Sequence, residues 1–144
     1  MADIICRPVK NQAECDTCFA IRRKVFVEEQ GLFHETDRDE HDDAAVHIAA
    51  FCSDRIIGTV RVYPDRDDLW WGGRLAVLKG YRGKAGKLLV RAATEVVKQN
   101  RARSFRAYVQ LENVAFFKTL GWTSVGKICE YHGKPHQLME ARLT

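Results

Sequence analysis

The segment Arg82-Gly83-Lys84-Ala85-Gly86-Lys87 interleaves two glycines with three cationic side chains. A strand-like run, Trp70 to Leu78, precedes it. An amphipathic helical run follows, with Leu88, Leu89, Ala92, Ala93, Val96 and Val97 on one face. Strand, glycine turn and helix start together offer free backbone N–H groups, the positive end of a helix dipole and fixed cations, which is what a pyrophosphate needs. No acidic residue lies between Leu69 and Thr94, whereas Arg74, Lys79, Arg82, Lys84, Lys87 and Arg91 all do. The expected ligand is therefore a multiply charged anion. A solvated lysine-rich turn is the bland reading of the loop alone, and its place at a strand–helix junction argues against that reading.

The charge of the chain is unevenly spread. Glu28 to Asp43 carries eight acidic residues against Arg38, while the middle is basic, for a net charge of +4. That net value is too mild to imply nucleic acid. No run reaches membrane-spanning length, so no membrane partner is expected. The five cysteines are odd in number and sit in apolar contexts, as in a reduced, cytoplasmic protein. Cys15 and Cys18 have CxxC spacing but no second pair, and Asp37, Asp39 and His41 lack the glycine and the last ligand of a calcium loop, so no metal is expected.

These residues must be positioned by a small set of elements. Ile4–Val9 reads as a strand and Asn11–Gln30 as a helix, with Gly31 ending it. Arg22 falls on the apolar face of that helix and needs a partner, such as a carboxylate of the acidic loop Leu32–Asp43. Ala44–Cys52 and Ile56–Tyr63 form a hairpin pattern around Ser53-Asp54-Arg55. Phe105–Gln110, Trp122–Glu130 and Pro135–Leu143 complete the strands, with a short helix at Asn113–Leu120. The expected fold is α+β: a single domain over residues 1–144, with a mixed sheet of about seven strands and one parallel crossover around the central helix.

This order, with Arg82-Gly83-Lys84-Ala85-Gly86 at the helix start and Phe116-Phe117-Lys118-Thr119-Leu120-Gly121-Trp122 further on, resembles the GNAT N-acetyltransferase superfamily. Arg22 with Val25 to Gln30, and Lys134 to Met139, are similar to its ElaA-like branch and more so to the subgroup encoded beside nitrilases and linked to nitrogen starvation. The resemblance covers nearly the whole chain. It implies transfer of an acetyl group from acetyl-CoA to the amine of a small molecule, by direct attack in a ternary complex and without a metal. Gly72-Gly73 would let the Trp70 strand bulge so that pantetheine pairs near Leu75, Ala76 and Val77. The diphosphate would lie on Arg82, Gly83, Lys84, Ala85, Gly86 and Lys87, with Gln110 or Asn113 as a further cofactor contact; Asn113 can equally be a helix N-cap.

Two departures bear on this. Lys87 stands about where a last glycine of the loop is usual. Phe117 occupies a cofactor-binding position at which the family commonly has a tyrosine, the proton donor to the leaving thiolate. Glu29 and His136 are candidate bases, against readings as a solvated helix-end carboxylate and a structural histidine. Tyr131 and Cys129 are the alternative acids. Two other functions stay open: a CoA-binding sensor without catalysis, motivated by Phe117, and an acyl-homoserine-lactone synthase-like enzyme. Exposed strand edges and Trp70, Trp71 and Trp122 leave room for a homodimer.

Overall fold

The computed structural model describes residues 3–144. The elements follow the order β1 (Ile4–Pro8), α1 (Gln12–Arg22), a π-helical turn (Arg23–Glu29), β2 (Val46–Cys52), β3 (Arg55–Pro64), β4 (Leu69–Val77) and α2 (Lys84–Gln99). Then come β5 (Ser104–Gln110), a 3-10 turn (Leu111–Asn113), α3 (Val114–Thr119), β6 (Thr123–Tyr131) and β7 (Lys134–Glu140). The strands make one seven-stranded sheet in the order β1-β2-β3-β4-β5-β7-β6. Among the described residues only β4 and β5 pair in parallel, joined across the sheet by α2.

Each face of the sheet buries its own apolar cluster. On one side Leu89, Val90, Ala93 and Val97 of α2 pack on Ile48, Val60, Val62 and Phe105. The inward stripe of α2 also takes in Ala85 and Gly86, so it is rotated slightly from the expected one, and Leu88, Ala92 and Val96 are only half-buried. Gly58 allows this approach, because a Cβ there would lie 3.1 Å from Leu89 Cδ1 and 3.2 Å from the Ala76 carbonyl oxygen. On the other side Cys18, Ile21, Val25 and Phe26 pack on Ala49, Ile56 and Ala76.

The first helix departs from the single run expected over Asn11–Gln30. Asn11 caps it through its side-chain oxygen, which accepts from the Glu14 amide at 2.9 Å. Beyond Arg22 the backbone widens to π spacing, as in the bond from Gln30 N to Val25 O at 3.0 Å. The widened turn keeps Val25 and Phe26 buried next to Ile21 and Arg22, and leaves Glu28 and Glu29 outward.

Candidate active site

The sheet is split where β4 and β5 part. Their pairing covers Leu69, Trp70 and Trp71 against Ser104, Phe105 and Arg106, and stops there. What separates them is a bulge. Thr59 pairs with Ala76 and Arg61 with Gly73, so Val60 of β3 faces both Arg74 and Leu75 of β4. Arg74 carries the left-handed backbone, φ +53°. The bulge was expected from Gly72 and Gly73, but neither has a positive φ. Gly72 serves packing instead: a Cβ there would come within 2.8 Å of the Phe105 ring, while one at Gly73 would meet nothing within 4 Å.

A cavity of about 710 Å³ opens at this split and reaches both sides of the sheet. Leu75, Val109, Gln110, Asn113 and Phe117 are among its walls, as are Tyr131 and His136. Ala76 and Val77 are buried beside it. Phe117 is apolar wall, edge-on to Trp122 at 5.2 Å. Gln110 donates to Gln30 Oε1 at 3.0 Å and accepts from Lys134 Nζ at 3.2 Å. Asn113 precedes α3 but makes no capping bond, so its carboxamide stays available to the cavity.

The cationic turn lies at the start of α2, outside the cavity walls. Gly83 takes φ +89°. Ala85 N donates to Tyr81 O and Lys87 N to Gly83 O, both near 3.1–3.2 Å. Among the described residues the amides of Gly83, Lys84 and Gly86 have no acceptor. These are the donors an anion at a helix start uses. Ala85 and Gly86 are buried, whereas Lys84 and Lys87 are exposed. Arg82 Nε donates to Val77 O at 2.8 Å, and its Nη2 pairs with Glu29. Glu29 is thus held at the turn, with Lys79 Nζ also 3.6 Å away, and does not line the cavity.

Beneath the acidic loop lies a network of three arginines and three aspartates. Arg22, fully buried, pairs with Asp37 and Asp42 at 2.7 Å each. Arg61 pairs with Asp39 and Asp42, at 2.8 and 2.9 Å. Arg74 reaches Asp37 and Asp39 at 3.2 Å. The loop thereby supplies the partner that Arg22 required. Burial pushes the Asp42 carboxyl up, but hydrogen bonds from Arg22, the Asp39 amide and Arg61 outweigh it and hold it well below the carboxylate range. Asp39 is lowered in the same way, chiefly by Arg61 against its own desolvation.

The network ends at the cavity. Arg74 Nη1 donates to Tyr131 Oη at 3.0 Å, so the phenol's own O–H is left to donate elsewhere. His136 is buried, with Nδ1 2.9 Å from the Lys134 carbonyl oxygen. A carbonyl only accepts, so Nδ1 carries a proton, and in the neutral ring the lone pair is on Nε2. Tyr131 and His136 rings meet at 5.2 Å. Cys129 is exposed and takes no part.

Arg61 and Arg74 join the site although the sequence pattern does not mark either as a site residue. Arg61 stands in the apolar run Ile56 to Val62, and a charge in such a strand signals a buried partner. Arg74 has no such signal, since its role depends on a bulge.

A model of the Acetyltransferase (GNAT) family matches residues 14–122. The chain belongs to that family. A Bacillus subtilis (strain 168) protein named "Putative acetyltransferase BSU40680" is 31% identical over 139 residues, 92% of each chain. A Lactobacillus plantarum structure described as a "putative N-acetyltransferase" superposes with a TM-score of 0.88 at 26% identity, covering 98% of this chain and 99% of that one. Escherichia coli ElaA gives a TM-score of 0.83 at 23% identity over 99% and 100% of the two chains, which shows the shared fold. This GNAT protein is accordingly an acyltransferase, of a family that generally uses acetyl-CoA and acts on small-molecule or protein amines. None of its described helices is long and apolar enough to cross a membrane.

Proposed function

We propose that this enzyme moves the acetyl group of acetyl-CoA to the amine of a small molecule, by direct attack within a ternary complex. The observation that carries the reading is the parting of β4 from β5, which leaves a cavity walled in part by Tyr131 and His136, while β4 runs on into the turn whose free amides open α2. Pantetheine would occupy the gap as a pseudo-strand beside Leu75, Ala76 and Val77, with Gln110, Asn113 and Phe117 on its other side. The diphosphate would lie on the amides of Gly83, Lys84 and Gly86, flanked by Arg82, Lys84 and Lys87, with Ala85 packing the turn.

In this reading His136 Nε2 takes the proton of the attacking amine and Tyr131 O–H gives one to the departing sulfur. The C–N bond forms, the C–S bond breaks, and CoA leaves as a thiol. A strand N–H near Leu75 stabilises the oxyanion. Glu29, the other candidate base, stands at the turn before α2 and does not line the cavity. The test is thiol release with acetyl-CoA and an amine panel. His136→Gln and Tyr131→Phe are each expected to lower kcat by ~10²–10⁴ while acetyl-CoA affinity, read by calorimetry, stays put. Wild-type turnover by both variants would overturn these roles.

A further inference from the structure

The acidic loop over the cavity invites the expectation of a polycationic acceptor, and the geometry argues otherwise. Asp37 and Asp42 are buried and each accepts from guanidinium groups. Asp39 spends both oxygens on Arg61 and Arg74. Three arginines meet three aspartates, so this layer presents no net negative charge to the cavity. Of the two carboxylates lining it, Asp39 and Glu40, Glu40 has no guanidinium partner among the described residues, and its side chain is 80% exposed beside His41. Arg38 also lines the cavity, makes no ion pair among the described residues, and lies over the Phe19 ring. A second ammonium group on the acceptor would meet Arg38, Arg61 and Arg74, and the lining carboxylate without a guanidinium partner, Glu40, stands at the exposed rim.

What the cavity offers instead is ring surface. On the face covered by α1 and the acidic loop, Tyr63, Trp71 and Tyr108 stand side by side on three adjacent strands. Tyr63 and Trp71 are register partners, and Trp71 stacks on Tyr108 at 5.5 Å with planes 6° apart. Trp71 is fixed in that pose by donating Nε1–H to Asp65 at 3.0 Å. His41 closes one end of the row, stacked on Tyr63 at 4.2 Å. Phe33 and His132, 4.1 Å apart, add a second aromatic group beside Tyr131. All of these rings line the same cavity as His136.

We infer that the acceptor is a primary amine carried on a planar aromatic body, bearing no second positive charge, and seated along the Tyr63–Trp71–Tyr108 row. The inference rests on the acetyl-transfer reading and adds the substrate class to it. Ring-on-ring contact selects the body, and the aromatic faces tolerate the single ammonium before it loses its proton.

The test compares kcat/KM, with acetyl-CoA saturating, for tryptamine and phenethylamine against n-butylamine and spermidine. The aromatic amines are expected to lead by about tenfold. Trp71→Ala should collapse that lead to within about threefold, and Trp71→Phe, which restores a ring, should keep most of it. Tyr108→Ala, at a half-exposed position, provides a second variant with the same expected loss of preference. Preference for spermidine or butylamine in the wild type, or variants that slow all amines equally, overturns the aromatic assignment alone. Failure to acetylate any amine by a protein that still binds acetyl-CoA removes the acetyl-transfer reading, and this inference with it.

Discussion

Arg82 Nη2 lies 2.6 and 2.9 Å from the two carboxylate oxygens of Glu29. The side chain expected to grip a diphosphate therefore already holds an anion of the protein's own. Both partners reach solvent, so the pair contributes only ~0.2–1 kcal/mol, and in the proposed complex a diphosphate, with its higher charge, would displace the carboxylate.

The exchange predicts opposite effects at the two ends of the pair. Glu29→Gln removes the internal competitor and should tighten acetyl-CoA binding by about two- to fivefold. Arg82→Ala should weaken binding and flatten its dependence on salt. Calorimetry at low and high ionic strength reads both. Weaker binding by Glu29→Gln would show that the carboxylate helps to build the site rather than occupying it.

The two adjacent glycines of β4 should behave differently. Gly72→Ala drives a Cβ to within 2.8 Å of the Phe105 ring, in the core beneath α2. Overpacking of this kind costs about 1–3 kcal/mol. Gly73→Ala meets nothing within 4 Å and needs no positive φ, so it should leave thermal stability within about 0.5 kcal/mol of the parent. Equal losses in thermal or denaturant unfolding would contradict this division.

The element order was legible because each element announces itself through local chemistry. The hairpin around Ser53-Asp54-Arg55, the helix carrying the Leu88–Val97 stripe and the short helix before Gly121 lie where alternation, apolar stripes and turn residues put them. Arg22 was legible as a charge on an apolar helix face, and the acidic loop as its partner. What was not legible depends on registration between distant segments. Glu29 and Arg82 are 53 positions apart, and Arg74 and Tyr131 are 57 apart. Sequence points to the glycines as the site of the bulge, because glycine adopts left-handed backbone at least cost. The chain puts Arg74 there instead, held by Asp37, Asp39 and Tyr131.

The arginine–aspartate network fixes an acid limit on stability. Asp39 and Asp42 have folded-state pKa values below their unfolded ones. Their contribution is therefore fully present above the unfolded pKa, near 3.9, and is lost as pH falls through the lower folded values. Stability should be nearly level from pH 7 to 5 as far as these groups are concerned, and should drop steeply below about pH 4. Asp42→Asn should shallow that drop. Arg22→Ala, which leaves buried Asp37 and Asp42 with one guanidinium partner each instead of two, should cost about 3–5 kcal/mol at pH 7. Denaturant unfolding across pH checks both, and an Arg22→Ala protein of wild-type stability would contradict the network's role.

Phe117 and Tyr131 form the last test, since they offer two places from which a proton could reach the sulfur. Both line the cavity, but Phe117 comes from α3 and Tyr131 from the end of β6, where Arg74 donates to its oxygen. Tyr131→Phe removes the phenol that the chain possesses, and Phe117→Tyr supplies one where GNAT relatives commonly carry it. If Tyr131 is the donor, Phe117→Tyr should barely change kcat in the wild type, which already has an acid. In the Tyr131→Phe background the same change should recover tenfold or more of the lost rate, out of the ~10²–10⁴ that general acid catalysis contributes. The comparison is non-additive by design, so a double-mutant cycle on kcat isolates the shared role. A gain from Phe117→Tyr that is equal in both backgrounds would mean that the wild-type reaction proceeds without an acid, and Tyr131 would then be a wall residue held by Arg74.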